Sequence, residues 1–151
     1  MKIVFAASSG GHFEQLMMLK PLMEKYDSFV LTEKTDYSVG KQEIDVFYLK
    51  QINRKEPLFL FKLMANTVTS FRIYLKEKPD VMITTGVLAI IPFALIMKLF
   101  NRKLIYIESF AKVTSKTLSG KLLYKYADQF YVQWEEMLKL YPKAICKGGI
   151  Y

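Results

Sequence analysis

The strongest constraint on the fold is an alternation of short, almost wholly apolar runs with longer stretches of helical periodicity along the 151 residues. The runs are Lys2 to Ala7, Ser28 to Thr32, Val46 to Leu49, Val81 to Thr84, Lys103 to Ile107 and Gln129 to Val132. Strands that are apolar on both sides need cover on both sides, and strands alternating with helices imply βαβ units and a parallel sheet. Helices are predicted over Phe13 to Lys25, Leu58 to Glu77, Pro92 to Phe100, Leu118 to Tyr126 and Glu135 to Leu140. Pro92 suits a first helical turn, where its missing N–H costs nothing, so Gly86 to Ile91 is expected to be a loop or irregular turn. Pro21 is expected to kink or split the first helix, and Pro79 to end the long one before its strand. There is no repeat, low-complexity tract or linker. The fold class is therefore α/β, one Rossmann-like, doubly wound, mainly parallel sheet over residues 1–151.

A chain of this length buries a core without staples, and its single cysteine, Cys146, allows neither an internal disulfide nor a thiol-rich metal site. That suits a reducing compartment, and Cys146 itself is expected to be a small core or edge residue. The apolar N-terminus reaches Gly10-Gly11-His12 without a long hydrophobic region or cleavage site, which predicts a strand rather than a signal peptide. The formal net charge of +8 draws the protein to polyanions or anionic lipid. The longest apolar stretch, Val87 to Met97, falls well short of the roughly 20 residues of a spanning helix. Surface attachment is the remaining route to a membrane.

In open α/β sheets ligands bind beyond the carboxyl ends of the strands where strand order reverses, here expected between the first and fourth strands. The loops that follow them are Ser8-Ser9-Gly10-Gly11-His12 and Thr84-Thr85-Gly86-Val87, both small and hydroxyl-bearing. Glycines admit a ligand close to the backbone, and a helix start directs N–H groups at an anion. The first loop is thus a phosphate or diphosphate cradle, or else an ordinary strand-to-helix turn. It is shorter than a GxGxxG fingerprint, and only Glu33 closes the second strand as an acidic partner for a ribose.

His12, the sole histidine, stands at the mouth of this crevice as a general base, a donor to phosphate, or a helix cap. No second histidine or carboxylate pair accompanies it, so a metal site is not expected. Glu108 and Ser109 end the fifth strand on the same rim, where they can bind a sugar hydroxyl, take a proton, or cap the next segment. The basic stretch Lys112 to Lys121 either is a solvated loop or guides a diphosphate.

Several of these residues carry a resemblance. Ser9-Gly10-Gly11-His12, Thr85-Gly86 with Pro92 six residues on, Tyr106-Ile107-Glu108-Ser109-Phe110-Ala111, Ser119-Gly120-Lys121-Leu122-Leu123-Tyr124 and Tyr131-Val132-Gln133-Trp134 resemble bacterial capsule and exopolysaccharide proteins of the PssD type. These are similar to the membrane-anchoring subunit of the eukaryotic enzyme that adds the second N-acetylglucosamine to dolichol diphosphate. They also look like the N-terminal half of a GT-B glycosyltransferase such as the lipid II synthase MurG. The resemblance runs from Lys2 to Tyr151.

It implies an acceptor-binding subunit of a two-component, inverting glycosyltransferase, inactive alone, that acts on a polyprenyl-diphosphate-linked saccharide and forms a β-1,4 link. A separate nucleotide-sugar-binding subunit is the implied partner, the cytoplasmic face of the cell membrane the implied location, and no metal, cofactor or nucleic acid is implied. His12 is the residue assigned to acceptor activation or diphosphate contact. Ser9, Gly10, Gly11, Thr85 and Gly86 are expected to shape the acceptor cleft, Glu108 and Ser109 to hold the sugar, and Lys112 to assist. The family commonly has arginine at the Lys112 position, and lysine lacks the planar bidentate contact arginine makes with phosphate. The eukaryotic relatives carry an N-terminal membrane helix, so attachment here is expected to use another surface.

The segment Asn53 to Lys78 offers one. Phe61, Met64, Val68, Phe71 and Leu75 recur at helical spacing and are expected to pack on the sheet, while Leu58 and Phe59, flanked by Arg54 and Lys55, touch lipid. The rival to a catalytic role is a scaffold that stabilises and recruits the transferase. An independent nucleic-acid-binding domain rests on positive charge alone.

Overall fold

In the computed structural model, residues 1–35 and 44–151 are described. Strands β1 (Lys2–Ala7), β2 (Asp27–Lys34), β3 (Val46–Lys50), β4 (Val81–Gly86), β5 (Lys103–Ile107), β6 (Gln129–Val132) and β7 (Ile145–Cys146) form one sheet in the order β3-β2-β1-β4-β5-β6-β7. Every strand pair is parallel. The six strands expected from the sequence are present. β7 has only two residues, too few for any apolar alternation to show, and it seats half-buried Cys146 at the sheet edge.

The helices divide between the two faces. α1 (Gly11–Met17) and α2 (Lys20–Lys25) bring Leu16 and Met23 onto Ile3, Phe5, Val30, Val81 and Ile83. The helix is interrupted at Met18 and Leu19, and Pro21 lies in the first turn of α2, so the proline starts a second helix. α3 (Phe59–Glu77), α4 (Ile91–Leu99) and α5 (Leu118–Leu123) cover the other face, where Tyr74, Phe93, Met97 and Leu123 pack against Val4, Phe29, Leu104 and Tyr106. Leu88–Ile90 makes a 3-10 turn ahead of α4, the irregular turn expected before Pro92, and Glu135–Lys139 makes another.

The long helix corrects one expectation. Phe61, Met64, Val68, Phe71 and Leu75 are all exposed, with Phe61 at 71%. The inward residues are instead Asn66, Ser70, Ile73 and Tyr74, with Phe59 and Leu63 packed at the margin of the core. Asn66 explains the inversion. Its amide donates to the Lys50 carbonyl at 2.8 Å and accepts from the Lys50 N–H at 2.9 Å, which docks the helix on the last residue of edge strand β3. Two satisfied hydrogen bonds let a polar side chain occupy a core position that periodicity alone assigns to solvent. Phe59, expected to touch lipid, therefore belongs to the core margin, whereas Arg54, Lys55 and Leu58 are exposed.

Candidate functional site

The order of the strands reverses between β1 and β4, so the two small-residue loops meet there. Register slips at this junction: Ala6 pairs with Thr84 and Ala7 with Gly86, leaving Thr85 without a partner on β1. A bulge of this kind re-aims a side chain. The Thr85 hydroxyl donates to the His12 carbonyl at 3.1 Å and ties the end of β4 to the first turn of α1.

The two glycine pairs differ in what surrounds them. Gly10 has φ +77°, and its carbonyl accepts from the N–H groups of Phe13 and Glu14 at 2.8 and 3.0 Å, starting α1. A methyl group at Gly10 or at Gly11 would meet no atom within 4 Å, so both backbones border open space. Gly86, at φ +87°, is enclosed instead: a methyl group there would lie 2.6 Å from the Ser119 hydroxyl and closer still to that of Tyr106. Gly86 is thus buried beneath the crevice, while Ser9, Gly10 and Gly11 lie at its surface.

His12 is half-buried between them. Its Nδ1 is buried with no hydrogen-bond partner. Desolvation lowers the imidazole pKa from the ordinary 6.5, against the opposing pull of the Glu108 charge and a hydrogen bond with the Thr85 backbone. An imidazolium would need acceptors at both nitrogens, so the neutral ring, which keeps one lone pair for a proton, is the favoured form.

Glu108 and Ser109, expected on the rim, are buried instead. Glu108 is 1% exposed. Its Oε1 accepts from the Ser109 N–H at 2.9 Å and the Thr117 hydroxyl at 2.8 Å, and its Oε2 accepts from the Tyr141 hydroxyl at 2.7 Å. Thr117 in turn caps α5 by accepting from the Gly120 N–H at 2.9 Å. Burial, reinforced by the Glu108 charge, pushes the phenols of Tyr106 and Tyr141 above their ordinary range, so both stay protonated and Tyr141 stays a donor. The carboxylate therefore orders protein groups around it.

The turn beyond β5 is fastened by residues that sequence reasoning passed over or gave no role. Gln133 Nε2 donates to the Glu108 carbonyl at 2.8 Å, and Gln15 Oε1 accepts from the Phe110 N–H at 3.3 Å. Trp134 Nε1 donates to the Phe110 carbonyl at 2.7 Å. Gln133 and Trp134 were visible as part of a motif, whereas Gln15 gave no signal beyond its place on α1. Lys112 is half-buried just past this turn, its N–H donating to the Ser109 carbonyl at 3.0 Å. Glu33 is buried at the end of β2 with its carboxylate accepting from the Ile52 N–H at 3.3 Å, and desolvation raises its pKa. Among the described residues, no group of three His, Cys, Asp or Glu side chains converges on a metal-sized space.

A crevice at the β1/β4 reversal of a parallel sheet, floored by glycine loops, defines the Rossmann-like fold of the N-terminal half of a GT-B glycosyltransferase. MurG of Acinetobacter baumannii shares it at TM-score 0.73 and 17% identity, over 90% of this chain and 43% of that one. So does a UDP-N-acetylglucosamine 2-epimerase of Rickettsia bellii, at TM-score 0.76 and 12% identity over 99% of this chain and 45% of that one. The chain spans less than half the length of either, and at such identities the likeness is one of fold.

The chain belongs to the family described as "Oligosaccharide biosynthesis protein Alg14 like", which it matches over residues 3–150. It is 26% identical over 179 residues to the human UDP-N-acetylglucosamine transferase subunit ALG14, covering 99% of this chain and 83% of the human one. The subunit of the same name from Yarrowia lipolytica is 28% identical over 173 residues, covering 97% of this chain and 80% of its own.

Proposed function

We propose that this chain is the acceptor-binding, membrane-associating subunit of a two-component inverting glycosyltransferase. One observation carries the reading: 99% of the chain aligns with 83% of a human protein that is itself named as a transferase subunit. A separate nucleotide-sugar-binding subunit is the partner that completes the cleft. The acceptor is a polyprenyl-diphosphate-linked saccharide at the cytoplasmic face of the cell membrane. The β-1,4 link and a role in capsule or exopolysaccharide synthesis follow the resemblance to PssD-type proteins. The relatives' names make UDP-N-acetylglucosamine the first donor to try.

In this reading Ser9, Gly10 and Gly11 line the acceptor cleft, with Lys112 beside it for the diphosphate. Thr85, Gly86, Glu108 and Ser109 hold that surface in shape from beneath. The neutral His12 imidazole takes the proton of the acceptor hydroxyl as its oxygen bonds to the anomeric carbon. The bond from that carbon to the nucleotide diphosphate breaks on the opposite side, and the diphosphate leaves with the electron pair, which inverts the centre.

The test is transfer from labelled UDP-N-acetylglucosamine to a polyprenyl-diphosphate-linked acceptor by each subunit alone and by both together. Transfer only by the pair, lost in His12→Ala, is the expected result. Turnover by this chain alone would overturn the split-enzyme reading. Slow turnover by the partner alone, with His12 dispensable, would make this chain the scaffold.

A further inference from the structure

The long helix has three faces rather than two. Beside the face that meets the sheet, Phe61, Met64, Val68, Phe71 and Leu75 follow one another at alternating spacings of three and four, and all are exposed. The same spacing displaced by one residue carries Lys62, Arg72 and Lys76 along the flank. Helix α4 extends the apolar surface with Leu95 and Leu99, one turn apart, and Leu99 is 78% exposed. The two helices join through Phe100, whose ring lies 6.4 Å from that of Phe71 and stacks on Tyr74 at 4.6 Å. Exposed apolar surface that is contiguous, rather than scattered, marks an interaction site.

The charge pattern indicates the occupant. The sequence holds no carboxylate from Pro57 through Lys76, and none from Val81 through Ile107. Among the described residues, Arg54, Lys55 and Arg72 make no ion pair, while Lys62 pairs with Glu56, Lys76 with Glu77 and Lys98 with Asp128. An apolar strip beside the unpaired Arg54, Lys55 and Arg72, in a chain of net charge +8, matches a bilayer with anionic headgroups, which takes the side chains into its acyl boundary and the cations at its surface. A second copy of this chain laid on the same face would set cations against cations. No helix among the described residues is long and apolar enough to cross a membrane, so the contact is one of lying on the surface.

The direction of the helix adds a functional link. The helix contacts the 3-10 turn that follows β4, Asn66 in its first half bonds Lys50 at the carboxyl end of β3, and its last turn reaches the start of β1, where Glu77 pairs with Lys2. At 19 residues it is about 28 Å long. Laid flat, it would bring the crevice mouth to the headgroup layer, the level at which a lipid-linked diphosphate emerges.

We infer that the exposed faces of α3 and α4 together form a docking surface for anionic lipid bilayers. The inference rests on the reading of the acceptor as lipid-linked and names the surface through which that acceptor is reached. The test uses the full chain and sedimentation with vesicles of phosphatidylcholine, with and without about a third phosphatidylglycerol. The wild-type protein sediments with the anionic vesicles, less so as salt rises, and hardly with the neutral ones. Replacing Phe61, Met64 and Val68 together by serine lowers binding at least about tenfold, and Arg72→Gln lowers it severalfold, with thermal unfolding unchanged. Leu95→Ser with Leu99→Ser on the neighbouring helix acts in the same way and replaces the first variant if that one unfolds.

Reconstituted with the partner, the serine variants keep transfer to a short-chain, water-soluble acceptor and lose transfer to a long-chain acceptor in vesicles. Undiminished vesicle binding by both serine variants overturns the inference and leaves the proposed function standing. Lost vesicle binding with no transfer by any form of the pair overturns the function and leaves the surface. If the variants bind vesicles normally but no longer capture the partner, or if a wild-type dimer dissociates in them, the face serves a protein and the inference fails.

Discussion

Gly86→Ala is the substitution from which the structure predicts the sharpest loss. The new methyl group would lie 2.6 Å from the Ser119 hydroxyl and closer to that of Tyr106, at a residue whose φ is +87°. Ser119 can rotate its hydroxyl away. Tyr106 has no such freedom, because its fully buried ring is stacked on Phe130 at 4.7 Å and its hydroxyl bonds Thr117 and Ser119 at 3.1 Å each. Left-handed backbone costs an alanine about 1 kcal/mol, overpacking about 1–3, and each displaced hydrogen bond about 1. The sum is about 4 kcal/mol, or a fall in Tm of about 10 °C for a domain of this size. Gly10→Ala, with a glycine-favouring backbone (φ 77°, ψ −144°) but open space, costs less, about 1–3 kcal/mol. Gly11→Ala, with neither, stays within about 0.5 kcal/mol. Circular-dichroism melts of the three variants test the order. Removing the obstructing hydroxyl supplies a second check: Gly86→Ala combined with Tyr106→Phe is more stable than the sum of the single changes by about 1 kcal/mol or more. A melt of Gly86→Ala within a degree or two of wild type, or strict additivity in the double variant, would refute the packing argument.

Four further outcomes are expected. His12→Ala lowers kcat of the reconstituted pair by about 10² or more, and the acid limb of kcat/KM for the wild type lies below 6.5, because burial lowers the pKa of the histidine from that value. The same shift sets a stability trend. Unfolded His12 binds its proton near 6.5 and folded His12 only at lower pH, so acidification through that interval removes stability, and a His12→Gln melt lacks this component of pH dependence. Glu108→Gln sets an amide N–H group against donors that the carboxylate now accepts, and chemical denaturation should register a loss of about 2–3 kcal/mol. Asn66→Ala costs about 2–3 kcal/mol through the two lost Lys50 bonds, whereas Val68→Ser leaves the midpoint almost unmoved; the reverse order would turn α3 back around.

The sheet was legible because its strands are apolar on both sides, a pattern that a parallel arrangement alone buries in full. The site of strand reversal followed from topology, and with it the approach of the Gly10-Gly11 and Thr85-Gly86 loops. What the sequence hid was the side on which a polar residue lies. Asn66 and Ser70 are ordinary markers of a solvent face, and only the position of the Lys50 backbone makes Asn66 a core residue. The five apolar residues of the stripe were then read inward from their helical spacing. Glu108 shows the same limitation: a carboxylate at a strand end can meet ligand or protein, and the donors that decide it, Thr117 and Tyr141, are 9 and 33 residues away.

Those distant donors bear on how the family motif should be understood. Glu108 gathers Ser109, Thr117 and Tyr141, while Gln133 fastens the Glu108 carbonyl and uses its own Oε1 to accept from the Ile150 N–H at 2.9 Å. Gln15 joins the same turn to α1, whose first residues form the glycine loop. The motif stretches around Glu108, Ser119 and Gln133 thus meet in one hydrogen-bonded hub beneath the crevice, and Trp134 closes it against Phe110 at 4.9 Å between rings. On the function proposed above, in which this domain supplies one wall of a cleft to a separate subunit, that wall has to be presented already formed. Tying the glycine loop, the β5 turn and the C-terminal segment together, through the Glu108 carboxylate and through the Gln15 and Gln133 amides on the main chain of the Glu108–Phe110 turn, provides such a wall, because none of the three can shift without leaving a buried donor or acceptor unpaired.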